Sequence, residues 1–309
     1  MTISVLRESA PLAFDHEQKT LARFNRMRMR LGLGEDPRPD DPRLVALECA
    51  FVKRCRQDVA ALLEDMPDDV AGFMPWFESI AKWGPGQHDP LFVYLAERAN
   101  LEEMRWFLLQ EVAGEAGFED LVALAQIKMP VQAKLEMARN YWDEMGRGQE
   151  KGMHGPMLER LARHLGLCPD IDNVVPESLS LGNMMMALGA HRAFSFHLVG
   201  ALGIIEMTAP DRAQAVTQGL KRLGVDAKAR HYFALHAVLD RKHSADWNRE
   251  VIEPLVREDF RRARCLAEGA LLRLDRGRAC FERYRRHFGL VGPRARAANT
   301  LEGAGSALT

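Results

Sequence analysis

Residues 231–243 read His231-Tyr232-Phe233-Ala234-Leu235-His236-Ala237-Val238-Leu239-Asp240-Arg241-Lys242-His243. Helical spacing turns about 100° per residue, so His236, Asp240 and His243, at i, i+4 and i+7, fall within about 40° of one another. Two imidazoles and a carboxylate thus project from one face. Imidazole and carboxylate together suit first-row transition metals such as iron and manganese. Those three residues alone leave two readings open, a metal site or a solvated polar face. Their neighbours Tyr232, Phe233, Leu235, Val238 and Leu239 are unusual company for a solvated face. His231, five residues before His236, points nearly the opposite way.

Working outward, Glu206 closes the apolar run Leu202-Gly203-Ile204-Ile205, thirty residues before His236. A carboxylate there either ends a helix in water or is buried with a compensating cation, because an unpaired buried charge costs several kcal/mol. Glu111, after Phe107-Leu108-Leu109, raises the same question, as do Glu144 and His154. One acid among 43 says little alone, and a surface salt bridge is the default for Glu111 and Glu144.

The rest of the chain is patterned for helices. Val45, Cys49, Val52, Val59 and Leu63 follow a period near 3.6, and Leu91, Val93, Leu95 and Leu101 lead into Trp106, Phe107 and Leu108. Alternating strands and hairpin turns are missing, so the expected class is all-α. Gly32–Pro42 separates a basic N-terminal helix from the next, and Gly84-Pro85-Gly86 marks a second break. Helices are expected over about 89–113, 119–126 and 131–145, followed by an interruption at the glycine-rich stretch 146–152. One long helix is expected from Pro176 to Met207, the next capped by Thr208 with Pro210 in its first turn, another capped by Asp226, and a last segment from Pro254 with a break at Gly277. The tail 292–309 is expected to be disordered. No internal repeat, Walker loop, dinucleotide fingerprint or H-E-x-x-H motif is present.

The 309 residues carry 42 Lys plus Arg against 43 Asp plus Glu, a formal net charge of −1. That balance gives no electrostatic footprint for nucleic acid or an anionic membrane surface, and favours a small-molecule or protein partner. Five cysteines without a C-x-x-C pair read as thiols of a reducing compartment. With no secretory signal evident, the expected location is cytoplasmic.

The ordered set Glu111, Glu144, His154, Glu206, His236, Asp240 and His243, in the phrases NYWDEMGRG, GMHGPML, GALGIIEMTAPDR and HYFALHAVLDRKH, resembles the haem-oxygenase-like diiron oxidases and oxygenases. The resemblance spans about residues 90–260. It implies a haem-oxygenase-like seven-helix bundle (90–291), with residues 1–89 as additional N-terminal helices packed on it. It implies two irons, held by Glu111, His154, Glu206, His236, Asp240 and His243, with Glu206 bridging. Glu144 matches the extra carboxylate of the branch that oxygenates nitrogen, and its alternative is a capping acid beside the glycine turn. Four carboxylates would balance two ferrous ions. Tyr141, three residues before Glu144, is a candidate to support it or to line the substrate cavity.

The activity so implied is O2-dependent N-oxygenation of an amine or guanidine-type nitrogen, including amine-to-nitro conversion, in specialised-metabolite biosynthesis. An external electron donor, a reductase or a chemical reductant, would restore the ferrous state. Rival readings are oxidative C–C cleavage or desaturation of an amino acid or fatty acid on the same cofactor, and a helical iron-binding protein without catalysis. A homodimer remains open.

Overall fold

Aspartate and proline set several of the helix starts. Asp41 precedes Pro42, and its Oδ1 accepts the Arg43 N–H at 2.8 Å; Asp89 precedes Pro90, and its Oδ1 accepts the Leu91 N–H at 2.9 Å. In both, the side chain satisfies a donor that the first helical turn cannot, and proline occupies the position where an N–H is dispensable.

The computed structural model describes residues 2–34, 39–115 and 117–290. Among the described residues the secondary structure is helical, with one isolated antiparallel bridge, Met145 to Met153. The helices are α1 (Thr2–Arg28), α2 (Pro42–Val59), α3 (Val70–Trp83), α4 (Pro90–Glu97), α5 (Leu101–Glu115), α6 (Phe118–Ala125) and α7 (Val131–Glu144). They continue with α8 (His154–His164), α9 (Pro176–Ala190), α10 (Ser195–Arg222), α11 (His231–Trp247), α12 (Glu253–Glu258) and α13 (Arg261–His287). The all-α expectation holds. The expected disordered tail, 292–309, lies outside the described residues.

α10 is the central element, packed against α4, α11 and α13. Its approach to α13 is backbone to backbone. A Cβ on Gly200 would lie 1.9 Å from the Leu266 carbonyl oxygen, and one on Gly269 would lie 1.9 Å from the His197 carbonyl oxygen. Between these contacts, His197 Nε2 lies 2.9 Å from Glu268 Oε2, and Arg56 from α2 donates to both oxygens of the same carboxylate at 2.8 and 3.0 Å. The N-terminal helices are joined to the bundle here and at α9, where Asn25 of α1 donates to Asn183 Oδ1 at 2.9 Å.

Several helix boundaries differ from those expected. The helix expected over 89–113 is two, α4 and α5, divided at Asn100. There Asn100 Oδ1 accepts the Glu103 N–H at 3.0 Å and Glu103 Oε2 accepts the Asn100 N–H at 2.8 Å, a reciprocal capping box. The helix expected from Pro176 to Met207 is also two. α9 ends at Ala190, His191 Nε2 sits 2.6 Å from Glu48 Oε2, and Arg192 donates to the Ile127 carbonyl at 2.5 Å before α10 begins. Thr208 and Pro210 start no helix: α10 runs through both, and the Thr208 hydroxyl donates back to the Ile204 carbonyl at 2.8 Å. Pro210, having no N–H, withholds the bond that the Glu206 carbonyl would otherwise receive. Near the C-terminus a π-turn, Asn248–Ile252, precedes α12, the chain breaks at Asp259, and α13 continues through Gly277.

The stretch Arg192–Arg222 is long and apolar enough to cross a membrane, but 67% of its most apolar window is buried inside the bundle. That is the position of a core helix.

Burial pushes the Glu268 carboxyl up, but His197 and Arg56 outweigh it and hold the group down at about 2 from an ordinary 4.5. A depressed carboxylate stabilises the fold fully above its unfolded value and loses that contribution as pH falls through the folded one. Glu268→Gln should therefore cost on the order of 3 kcal/mol at pH 7. The gap to the unaltered chain should close between about pH 5 and pH 2, as measured by chemical denaturation across that range.

Candidate metal centre

The functional face of α11 forms as its spacing requires. Asp240 and His243 are buried, and His236 keeps 13% of its side chain exposed. Two other elements bring partners to this face. α10 contributes Glu206, 2% exposed in the apolar centre of the bundle. The α7–α8 connection contributes Glu144 and His154, both buried.

That connection explains a spacing of ten residues. Glu144 ends α7 and His154 starts α8, and the residues just inside them, Met145 and Met153, form the isolated antiparallel bridge. The bridge closes because Gly146 adopts φ +59° and its α-carbon meets Gly152. A Cβ on Gly146 would lie 2.3 Å from the Gly152 carbonyl carbon. The glycine-rich stretch thus folds into two short 3₁₀ turns that return the chain to its starting point. Its product is contact: His154 Nδ1 lies 2.6 Å from Glu144 Oε2.

Two clusters result. Glu144, His154 and His236 form one, and Glu206, Asp240 and His243 the other; within each, the ligand atoms lie within 4.8 Å of one another. The His154 and His236 rings meet edge to face with centroids 4.7 Å apart. His236 Nδ1 sits 3.0 Å from Asp240 Oδ2, linking the two clusters through one turn of α11.

Six of the seven residues expected to bind metal fall in these two clusters. The seventh, Glu111, is half-buried on α5, lines the same cavity as Glu144, Glu206, His236 and Asp240, and accepts the Tyr284 hydroxyl at 3.0 Å. Tyr141 packs against the large apolar core. Its neighbour Asn140 takes the polar role, donating to Glu206 Oε1 at 2.8 Å. Asn140 is four residues before Glu144 and shares its face of α7, the signal from which it could have been found.

Two further acids were not singled out in the sequence. Asp143 Oδ2 lies 3.1 Å from His243 Nε2, leaving His243 Nδ1 turned toward Glu206 Oε2 at 3.6 Å and Asp240 Oδ1 at 3.9 Å. A carboxylate behind one ring nitrogen fixes the tautomer so that the other can ligate. Glu119 lines a second cavity beside Glu144 and His154. Burial raises its carboxyl, and Asp120 and Glu144 add to the rise.

The donor set fits a pair of cations. His236 Nε2 is buried without a hydrogen-bond partner, and His154 Nδ1 and His243 Nδ1 are buried facing carboxylate oxygens of Glu144 and Glu206 at 2.6 and 3.6 Å. Uncompensated atoms of this kind are costly unless a ligand satisfies them. Left to protons alone, the cluster is strained. Burial drives the Glu206 carboxyl up, and Asp240 drives it further against the opposition of His243. Burial drives His236 and His243 down, yet Asp240 for the first and Glu206 for the second raise both to about 9.

Residues 105–278 match the family described as iron-containing redox enzymes. This chain belongs to that family. Its matched segment contains both clusters. In fold, the chain is similar to a CADD-like protein of unknown function from Nostoc punctiforme. Two crystal structures of that protein align with TM-scores of 0.50 and 0.48 at 14% identity, covering 78% of this chain and 97% and 95% of theirs. No curated protein matches the sequence. The family membership makes the protein an oxidoreductase that uses iron, and both clusters are groups that could hold a metal ion.

Aerobically stable surrogates such as Co(II) or Zn(II) should bind at two per chain by calorimetry, more tightly as pH rises from 6 to 9, because His236 and His243 must lose protons to ligate. Glu144→Gln should reduce the stoichiometry to one. Asp143→Asn should weaken binding by roughly 10–100-fold while the far-ultraviolet circular dichroism is unchanged. Gly146→Ala should remove the same site as Glu144→Gln, because the loop can no longer close.

Proposed function

We propose that the protein is a nonhaem diiron oxygenase that uses O2 to oxygenate an amine or guanidine-type nitrogen. The observation that carries this reading is the pairing of two three-residue clusters on a single helix face, each combining carboxylate and imidazole. A mononuclear centre would need only one of them. Glu144 supports the nitrogen-oxygenating assignment, because it lies within a cluster and not at a solvated loop.

In this reading Glu144, His154 and His236 hold one iron and Glu206, Asp240 and His243 the other. Bound iron would supply the redox chemistry that O2 requires. The chain's own contribution is placement. Asn140 and Asp143 fix the orientations of Glu206 and His243, so that the donors need not reorganise when metal arrives. The adjoining cavity has a volume of about 90 Å³, and Glu144, Glu206, His236 and Asp240 form one wall. Phe107, Phe118, Phe233 and Phe281 make much of the remainder apolar and exclude water from the side on which substrate would approach. An amine or guanidine is best presented there as the free base, since a cation in an apolar cavity carries a desolvation cost.

The test is iron loading under anaerobic conditions, followed by O2-consumption assays against a panel of amines and guanidines with mass-spectrometric product analysis. The expected outcome is substrate-dependent O2 uptake and a product with oxygen bound to nitrogen. Glu144→Gln should lower that rate by at least tenfold. An aldehyde or olefin with no N–O product would instead establish oxidative cleavage or desaturation. Stable iron binding with no O2 uptake would establish an iron-binding protein.

A further inference from the structure

α7 turns a row of apolar side chains away from the bundle. Val131, Leu135, Ala138 and Trp142 recur at i, i+4, i+7 and i+11, which places them within about 60° of one another around the helix. All four are exposed, Val131 at 75% and Leu135 and Trp142 at 54% each. The inward face is a different set: Ala133, Met137, Asn140 and Glu144 are buried against the core and the clusters. The outer row takes no part in that packing. Its spacing is that of a helix seam, and exposed apolar residues gathered on one ridge mark a surface that another molecule covers. The row ends on a side chain held in place, since the Trp142 ring rests on the loop at Gly148, where a Cβ would come within 2.9 Å of Cη2.

Charge around the row selects what covers it. Lys134 is exposed beside it. Arg139 and Arg147, with Lys242 and Arg249 from the elements packed on α7, stand 62% to 71% exposed, whereas the acids they pair with, Glu136, Asp143 and Asp246, keep only 10% to 16%. Glu250, 30% exposed, is held between Gln132 of α7 at 3.0 Å and Arg249 at 2.8 Å. Beyond Trp142, the exposed Glu150 is offset by the exposed Lys151. Each ion pair is formally neutral, but its cation is the part that meets water, so the face is positive to anything that approaches. A second copy of α7 would set this positive rim against itself, which opposes self-association. A membrane-lying helix buries a broad apolar face, and α7 offers a single ridge. A protein with acidic groups around an apolar centre fits both the ridge and its rim.

Position shows what such a partner does. Trp142 is followed directly by Asp143 and Glu144. Glu144 belongs to one cluster, and Asp143 Oδ2 lies 3.1 Å from His243 Nε2 of the other. From the outer face, one cluster is reached along the chain and the other across a single hydrogen bond. The cavity beside the clusters takes only Glu144 from α7, so a protein seated on the row leaves that space open to substrate. We propose that the outer face of α7 is the docking surface for a small acidic electron-carrier protein, which delivers electrons to the clusters by way of Trp142. The use of those electrons rests on the diiron reading above. Returning two ferric ions to the ferrous state takes two electrons, so two one-electron carriers are oxidised in turn, and no bond is made or broken. The interface belongs to the transient class, below about 1,200 Å², as suits a carrier that must leave to be reduced again.

The test uses the full chain, with a plant-type two-iron ferredoxin and a flavodoxin as acidic carriers and cytochrome c as a basic one. Calorimetry at low ionic strength should give a Kd of about 100 μM or tighter for at least one acidic carrier, weakened about tenfold or more at about 0.5 M NaCl. Lys134→Glu and Leu135→Glu should each weaken binding about tenfold or more, while iron uptake and the rate at which dithionite reduces the bound iron stay unchanged. In stopped-flow spectroscopy the ferric protein should oxidise two equivalents of the reduced carrier per chain, and Trp142→Ala should slow that transfer. The proposal is overturned if neither acidic carrier binds, if cytochrome c binds as tightly, or if both glutamate substitutions leave binding unchanged. It is also overturned if the chain sediments as a dimer that Leu135→Glu dissociates, or if phosphatidylglycerol vesicles bind in place of the carriers and Leu135→Glu releases them. Carrier binding that is lost with Lys134→Glu and Leu135→Glu, in a chain that takes up no iron, would refute the diiron reading and leave the docking surface standing. Two irons taken up and reduced by dithionite, with no carrier bound, would do the reverse.

Discussion

Carboxylates and imidazoles buried together inside an apolar bundle are the constraint around which the rest of this molecule is arranged. Glu144, Glu206 and Asp240 each retain 3% exposure or less. Removed from water, three such groups repel one another, and protons on neighbouring histidines offset that only in part. Positive charge from metal ions relieves the repulsion and satisfies the orphaned ring nitrogen of His236 in one step. The fold therefore gives up some stability of its core to create a place where cations are strongly preferred. Clusters of this kind are weak stabilisers of a fold and effective organisers of a site.

Three kinds of local structure converge on that place. A regular helix supplies fixed angular phase for His236, Asp240 and His243. A glycine-closed loop joins residues ten apart in sequence. A close helix crossing at Gly200 and Gly269 seats α10 deep enough that Glu206 reaches the centre. The packing beside that crossing is reinforced by Arg56, His197 and Glu268, a charge cluster separate from the metal residues. This separation lets the bundle keep its shape while the metal residues change protonation or ligation.

The sequence reading was strongest where a single helix sets the geometry. His236, Asp240 and His243 were legible because helical phase converts spacing directly into direction. Glu206 was legible because its apolar neighbours left few reasons for a carboxylate. Glu111 had the same kind of neighbours, and its turn of α5 brings it to the cavity wall it shares with Glu144, Glu206, His236 and Asp240. Its apolar context predicted burial, while its hydrogen bond with Tyr284 of α13 depends on a contact across elements. Asp143, Asn140 and Glu119 were not singled out because their roles depend on contacts across elements. The break at Asn100 was written locally, as a capping box hidden within a strong apolar run. The break at His191 carries no proline or glycine and is held by contacts to Glu48 and Ile127, far away in sequence. Helix class was thus local information, whereas helix ends were partly tertiary.

The sharing of α11 between both clusters has a consequence for how such a protein can vary. Its helix is a ruler: inserting or deleting one residue between His236 and His243 would swing the later ligands by about 100° and shift them about 1.5 Å along the axis, uncoupling both clusters together. The α7–α8 connection has no such rule, because only the meeting of Met145 with Met153 matters. Residues between Gly146 and Gly152 can be added or lost as long as the loop still closes. Length variation among relatives should accordingly collect in that loop and stay out of α11, making the spacing of ten a local choice and the spacings of four and seven a fixed requirement.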